Sequence, residues 1–306
     1  MAPSPTAAPD PRIEHGVSAR RTRLSRWYLR VPLKLCVFAV VSLFVLFPDP
    51  RQLGRHISRI RNLNAMIEPD APGLAALEAE FRNRTATTAP AATSPAHLLG
   101  EIECFVLDKV HYEWDWNLWG AADYMPTIGE MFDMATNTDG RLREDCDGRA
   151  VVAASLMRRL GYDATIVTDL RHVWVVTPEG SWMGPGGPAT VRSTEQGNRV
   201  AWGTLLANVP TSLSFGIAVF PFARELIILL TAYGLMLTRG MSRSAAALGL
   251  LLLVQGLLFL RLGFLAPAAV SPHASSWPAW VGIVHVAAGF YVLFSAARRA
   301  RRAAAS

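Results

Sequence analysis

The stretch that decides how this chain folds runs from Glu144 to Trp174 and reads EDCDGRAVVAASLMRRLGYDATIVTDLRHVW. Apolar residues recur at helical spacing over residues 150–160, and Cys146 stands just ahead of them. Asp145 is a suitable N-cap for such a helix, and Gly161 is a suitable C-terminal stop. The sequence therefore predicts a helix that begins at a cysteine.

Two strands are predicted directly after this helix, over YDATIVT (162–168) and RHVWVV (171–176). An antiparallel pair in this place can bring the start of the helix beside His172. The positive end of a helix dipole lowers the pKa of a thiol in the first turn. We therefore expect Cys146 and His172 to form a thiolate–imidazolium pair, the nucleophile of many acyl-transfer enzymes.

These motifs resemble the transglutaminase-like superfamily of papain-related thiol enzymes. In that family a cysteine opens a helix in a Gly-Asp-Cys-Asp type motif, and a histidine follows in a His-Ala-Trp-Val type strand. DCDGRAVVAASLMRRLGY and RHVWVV fit this pattern, and Tyr124-Met-Pro-Thr-Ile-Gly-Glu130 is similar to the Tyr-x-Pro-x-x-x-Glu segment often found upstream. The resemblance covers residues 108–187. It implies an α+β fold with Cys146 as nucleophile and His172 as base.

The family pattern also includes an aspartate after a tryptophan on the strand that follows the histidine strand. Here that region reads GSWMGPGGPA (180–189), and Gly184, Pro185, Gly186 and Gly187 stand where a carboxylate is expected. Asp169, Glu195 and Asn198 are the candidates to orient the imidazole instead. Because loss of the orienting group lowers the rate, two functions stay open. One is a thiol enzyme, and the other is a binding module that keeps the fold without the chemistry.

Tryptophans lie on both sides of the cysteine motif. Three of them fall within Glu113–Trp119, and Trp174 and Trp182 follow. Such residues either pack the core around the helix or line a groove for an extended substrate. We predict that at least one of the upstream group, with Trp116 as the candidate, lines the groove.

Composition and charge point to a membrane protein. The chain of 306 residues is 51% hydrophobic and only 18% charged, against roughly 25% charged residues in soluble domains. Its net charge of +6 comes mainly from arginine clusters next to apolar runs. Charges in that position are left in the cytoplasm when a helix inserts, so the basic character is not evidence of nucleic-acid binding.

The cysteines and glycines exclude several other classes of site. Cys36, Cys104 and Cys146 are too few for a disulfide framework, and Cys104 is predicted to pack in the core. The motif has no histidine and cysteine cluster at metal-ligand spacing and no phosphate-binding glycine loop. The sequence therefore predicts neither a cofactor nor a metal.

Four apolar runs are long enough to cross a bilayer as helices. In chain order the predicted organisation is a disordered basic leader (1–30), a first span (31–48), an extracytoplasmic domain (49–210), three further spans (211–238, 244–266 and 277–297) and a basic tail (298–306). The predicted fold class is thus an α+β transglutaminase-like domain with four transmembrane helices.

The basic flanks of these spans agree on one orientation. Arginines precede the first span, separate the second from the third and follow the fourth, whereas residues 268–276 carry no Lys or Arg. Both termini are therefore predicted to be cytoplasmic, with the domain periplasmic or extracellular. Glu225 and Arg261 lie roughly 21 and 27 Å from the cytoplasmic edge at 1.5 Å per helical residue. They are expected either to pair or to reach the interface separately.

The function that the sequence favours is a membrane-anchored peptidase, amidase or acyl transferase acting on a peptide or protein outside the cytoplasm. The lipid bilayer is the other predicted partner. A binding module without turnover is the main alternative. A transporter built on the four spans is a weaker one, because the last three spans carry few polar groups that could form a path.

Overall fold

The computed structural model describes residues 11–88, 94–184, 187–194, 197–265 and 277–304. The protein is a mostly helical α+β structure with a small antiparallel sheet and several long apolar helices. The helices are α1 (Pro11–Leu46), α2 (Pro50–Ile60), α3 (Leu74–Thr88), α4 (Pro95–Lys109), α5 (Asp115–Leu118), α6 (Ile128–Thr136), α7 (Cys146–Arg159), α8 (Trp202–Val219), α9 (Phe222–Met236), α10 (Arg243–Leu265) and α11 (Trp277–Ala303). The strands are β1 (His111–Tyr112), β2 (Arg143–Glu144), β3 (Thr165–Thr168), β4 (Val173–Thr177), β5 (Gly180–Trp182), β6 (Val191–Thr194) and β7 (Gly197–Val200).

Helix α7 lies at the centre of the core formed by residues 63–175. Every residue from Ala150 to Met157 is buried, and the helix packs against α4 and strands β3 and β4. The Asp145 carboxylate caps its start by accepting the Asp147 N–H at 3.1 Å. At its other end Gly161 has a φ of 93°, which allows the chain to turn back and close the helix. The prediction of a helix that begins at a cysteine is confirmed.

The sheet has the strand order β5-β4-β3-β6-β7, and every neighbouring pair is antiparallel. The predicted hairpin is present as β3 and β4, with Thr168 opposite Val173. His172 lies in the turn just before β4, not within a strand as predicted. Leu170 in this turn has a φ of 74°, a backbone conformation that a residue with a Cβ rarely adopts. The turn therefore holds the histidine at the end of the hairpin.

Three helices of the described chain are long and apolar enough to cross a membrane: residues Leu29–Leu46 of α1, α10 and α11. Helices α8 and α9 add a fourth span only if the pair is counted as one, because it is bent by 116°. The single helix predicted over 211–238 is therefore wrong. The chain breaks at Phe220, which is extended with a ψ of 149°, because a residue that precedes a proline disfavours the helical conformation.

Glycines let α10 and α11 approach closely. A Cβ added at Gly256 would lie 2.9 Å from the Gly282 carbonyl oxygen, and one at Gly289 would lie 3.1 Å from the Gly249 carbonyl oxygen. On each helix these glycines are seven residues apart, so they share one face. This is the small-residue packing that membrane helices use where no hydrophobic force drives them together.

Of the two arrangements expected for Glu225 and Arg261, the structure shows the pair. Arg261 Nη1 lies 2.5 Å from Glu225 Oε2. The same guanidinium donates to carbonyl oxygens at the end of α8, those of Ile217, Ala218 and Phe220, at 3.0–3.2 Å. Arg261 therefore binds the carbonyls that the break at Phe220 leaves without helical partners.

Several boundaries differ from those predicted. Helix α1 extends back to Pro11, where a disordered leader was expected, because no helix-breaking residue interrupts the arginine-rich run that follows. Helix α11 continues into the predicted basic tail, to Ala303. Cys104 is exposed on α4 instead of packing in the core, because its neighbours Phe105 and Val106 occupy the buried face. Residues 268–276 lie outside the described part of the chain.

Candidate functional site

A cavity of about 670 Å³ lies where the start of α7 and the β3–β4 turn face the broken helix pair α8–α9. Cys146 and His172 both line it. Both residues that the sequence proposes as a catalytic pair thus line one cavity, and no hydrogen bond between their side chains is found among the described residues. The start of α7 lies near the beginning of β4, where the Val173 backbone N–H lowers the pKa of the Cys146 thiol.

The Cys146 thiol is not activated in the way predicted. Burial raises its pKa well above the ordinary value, and the neighbouring Asp145 carboxylate raises it further. The hydrogen bond from Val173 acts in the opposite direction but does not outweigh them. Two N–H groups of the first helical turn already have carboxylate acceptors: the Asp147 N–H donates to Asp145, and the Gly148 N–H donates to Asp147. The thiol is therefore neutral in the resting protein.

His172 is also neutral at neutral pH. Burial lowers the pKa of its imidazole; Asp169 opposes this shift and Arg171 adds to it. The ring lies against Phe215 of α8, with ring centroids 5.7 Å apart. An imidazole that is unprotonated at pH 7 can accept a proton from a thiol, so the site holds a nucleophile and a base in their uncharged forms.

Asp169 holds the turn but does not contact the imidazole. Its carboxylate accepts the backbone N–H groups of Arg171 and His172, each at 2.9 Å, and the Arg171 guanidinium at 2.7 Å. Although burial alone would raise the pKa of Asp169, these hydrogen bonds bring it below the ordinary value. No hydrogen bond among the described residues links this carboxylate to the ring. Asp169 is thus a positioning residue for the turn.

Gly184, one of the residues at the place where the resemblance predicts an aspartate, has no room for a side chain. A Cβ at Gly184 would lie 2.6 Å from the Cβ of Trp174, which is 1% exposed. Trp182 donates its indole N–H to Thr177 at 3.0 Å and packs against the core. Neither Trp174 nor Trp182 is among the residues that line the cavity. Both tryptophans are therefore part of the packing behind the site.

The two later candidates do not supply an orienting group. Glu195 lies outside the described residues. Asn198 lines the cavity from β7. No hydrogen bond between Asn198 and the imidazole is found among the described residues. The Asn198 amide instead donates to the Ile60 carbonyl at 2.6 Å.

Trp116 does line the cavity, as predicted for at least one upstream tryptophan. Its ring stacks on Trp114, with centroids 4.7 Å apart and planes at 14°. On its other side it meets Phe220, the residue at the break between α8 and α9, edge to face at 6.3 Å. The aromatic groups thus connect the segment before α6 to the apolar helices along one wall of the cavity.

Four carboxylates gather behind the thiol. Asp115, Glu144, Asp145 and Asp147 have oxygens within 4.8 Å of one another, a separation that would suit a metal ion. Each already accepts an N–H group of the protein; the Glu144 carboxylate, for example, binds the Trp119 indole at 2.7 Å. Burial is the main cause that raises the pKa values of Asp115, Glu144 and Asp147, and repulsion by the Asp145 carboxylate is the second. These raised pKa values favour the protonated acids, which reduces the repulsion within the cluster.

Sequence reasoning missed this cluster and the role of the upstream motif. Asp115 comes from a segment 30 residues away in sequence, so no local pattern joins it to the motif. The Tyr124–Glu130 segment is structural: the Tyr124 hydroxyl donates to Glu130 at 2.9 Å, and Thr127 and Glu130 form a capping box for α6. Arg59 of α2 donates to the same carboxylate at 2.7 Å.

We also compared the chain with known proteins. It matches no protein-family model, no curated protein and no solved structure.

Proposed function

We propose that this protein is a membrane-anchored thiol enzyme of transglutaminase-like fold that acts on amide bonds of a peptide or protein. Cys146 is the nucleophile and His172 is the base. The observation that carries the proposal is that a thiol at the first residue of a buried helix lines the same cavity as a neutral imidazole. The Cys-helix and His-turn motifs that resemble the family occupy these positions.

The neutral pair determines how the reaction proceeds. As the Cys146 sulfur forms a bond to the carbonyl carbon of the amide, His172 takes the thiol proton. His172 then gives this proton to the amide nitrogen as the carbon–nitrogen bond breaks, leaving a thioester. Water or an amine attacks the thioester, loses a proton to His172 and releases the acid or a new amide. The thiol regains that proton, so no net proton is consumed by the enzyme.

The membrane part of the proposal rests on helix composition and charge. The apolar helices α1, α10 and α11, with the bent pair α8–α9 as a fourth span, would anchor the domain. The arginine flanks favour cytoplasmic termini and a domain outside the cytoplasm. The bilayer and an extracytoplasmic peptide or protein are the proposed partners, and no role for nucleic acid is proposed.

A binding module without turnover is the second candidate, and two observations favour it. The Asp169 carboxylate accepts hydrogen bonds from Arg171 and the backbone, and Gly184, one of the residues at the place of the expected aspartate, has no space for a side chain. Among the described residues no carboxylate bonds to the imidazole, which lies against Phe215. We therefore expect a slow enzyme, because an unoriented imidazole is a less effective base.

The test is acylation of the full-length protein in lipid nanodiscs by p-nitrophenyl acetate. Acetyl groups on Cys146 are quantified by peptide mass spectrometry, and the exposed Cys104 serves as an internal reference. We expect His172→Gln to slow acylation of Cys146 by about 10²-fold or more, in the range of general-base effects. Acylation of Cys104 should not change. A Cys146 that acylates no faster than Cys104, with or without His172, would favour the binding module.

A further inference from the structure

The cavity that holds Cys146 has two chemically different sides. On one side the soluble domain contributes the thiol, His172 and Asp145. On the other side α8 and α9 contribute mainly apolar residues, together with Ser212 and Glu225. The apolar residues are Leu213, Phe215, Ile217, Val219, Phe220 and Ile228. A substrate that fills this cavity therefore has a polar part at the thiol and an apolar part against the helices.

The apolar side lies at the depth of the outer bilayer boundary in the proposed topology. Arg261 is 18 residues from Arg243, or roughly 27 Å along a helix, and a hydrocarbon core is ~30 Å thick. Arg261 contacts the carbonyls of Ile217, Ala218 and Phe220, so the end of α8 lies at the same depth. That end of α8 is also a wall of the cavity.

Apolar side chains next to this wall are exposed on the surface of the protein. Leu206 and Leu213 of α8 are 71% and 45% exposed, and Phe222 of α9 is 42% exposed. A broken helix is tolerated at membrane depth where it lines a cavity. The α8–α9 break at Phe220 meets this condition, because Phe220 lines the cavity. The apolar side thus faces a region where acyl chains are the available apolar ligands.

We infer that the substrate is an amide that carries a long hydrocarbon chain and that enters from the outer leaflet. The chain lies against the apolar face of α8, and the amide reaches Cys146. The inference rests on the proposed thiol chemistry and adds the class of substrate, a lipid-attached amide. The volume of about 670 Å³ suits a head group with the first part of one chain, since ligand pockets measure ~300–1,000 Å³.

The chain offers a steric test of this inference. Gly216 lines the cavity, and a Cβ added there would meet no atom within 4 Å. Gly216→Phe therefore fills the apolar side without straining the helix. Gly203→Phe is the matched control, because Gly203 is on the same helix, is equally free of contacts and does not line the cavity.

The experiment compares two alkylating probes on the full-length protein in nanodiscs, iodoacetamide and N-dodecyl iodoacetamide. Labelling of Cys146 is measured by peptide mass spectrometry relative to Cys36, an exposed thiol on α1 that reports the concentration of the probe in the bilayer. We expect the dodecyl chain to raise the relative rate at Cys146 at least about tenfold, the effect of burying two methylene groups. Gly216→Phe should abolish this gain by slowing the dodecyl probe at least about tenfold more than iodoacetamide, and Gly203→Phe should change neither rate.

Equal relative rates for the two probes would overturn the lipid-attached substrate and leave the thiol proposal standing. Equal slowing of both probes by Gly216→Phe would also overturn the lipid-attached substrate, because the apolar side of the cavity would then not bind the dodecyl chain of the probe. If neither probe labels Cys146, both the substrate inference and the thiol proposal fall.

Discussion

Arg261 should matter more to stability than its partner Glu225, although the two form one ion pair. The guanidinium contacts Glu225 Oε2 at 2.5 Å and three carbonyl oxygens of α8 at 3.0–3.2 Å. Arg261→Met removes all four contacts and leaves a buried carboxylate without a cation. Glu225→Gln keeps an oxygen in place for Arg261 and leaves the contacts with the carbonyls of α8 intact.

The expected costs follow from these contacts. Removing one partner of a buried ion pair costs about 3–5 kcal/mol of the free energy of unfolding, so Arg261→Met should lie in that range. Loss of charge in one hydrogen bond costs about 1–2 kcal/mol, which is the expectation for Glu225→Gln. The double variant should be more stable than Arg261→Met alone, because it no longer buries an unpaired carboxylate. Arg239→Met, an exposed arginine outside this network, should cost less than about 0.5 kcal/mol.

Reversible unfolding by sodium dodecyl sulfate in mixed micelles, followed by tryptophan fluorescence, measures these free energies. Equal costs for the two single variants would refute the assignment of Arg261 to the end of α8. Additive costs in the double variant would refute the pairing itself.

Three further predictions concern the core, the helix pair and the turn. Because burial raises the pKa of Asp115, Glu144 and Asp147, the folded state binds protons more tightly than the unfolded chain, and stability should fall as the pH rises above about 4. Asp115→Asn should flatten this fall and stabilise the protein by at least about 1 kcal/mol at pH 8, as measured by thermal unfolding across pH; an unchanged slope would contradict the raised pKa. Gly256→Val should cost about 2–4 kcal/mol through the clash with α11, whereas Gly234→Val, which meets nothing within 4 Å, should cost less than half of that in the same micelle titration. Asp169→Asn keeps an acceptor for the backbone of the turn but weakens its contact with Arg171, so it should slow acylation of Cys146 less than tenfold; a loss as large as that of His172→Gln would show that Asp169 acts on the imidazole directly.

Local patterns predicted the parts of the fold that local forces determine. Apolar spacing and the capping residues Asp145 and Gly161 were sufficient to place α7, and alternation with a short turn placed the β3–β4 hairpin. These elements bring Cys146 and His172 to the lining of one cavity, and their action as a pair stays a prediction. The depth arithmetic for Glu225 and Arg261 succeeded because both lie on regular helices of known rise.

The failures come from tertiary context. The helix predicted from Thr211 begins instead at Trp202, with Pro210 buried inside it, and the break falls at Pro221. Hydropathy cannot detect such a bend, because both halves are apolar. The predicted direction of the Cys146 pKa shift was wrong for a similar reason. The helix dipole is a local feature, but burial and Asp145 outweigh it.

The pH dependence of Cys146 acylation by p-nitrophenyl acetate tests the central claim most directly. Since burial lowers the pKa of His172 below 6.5, the imidazole is available as a base throughout pH 7 to 8.5, and the wild-type rate should be nearly constant there. In His172→Gln only the thiolate reacts, so the rate should rise about tenfold per pH unit, as the fraction of a thiol with a raised pKa does. Parallel tenfold slopes in the two proteins would show that the imidazole does not serve the thiol and would contradict the account.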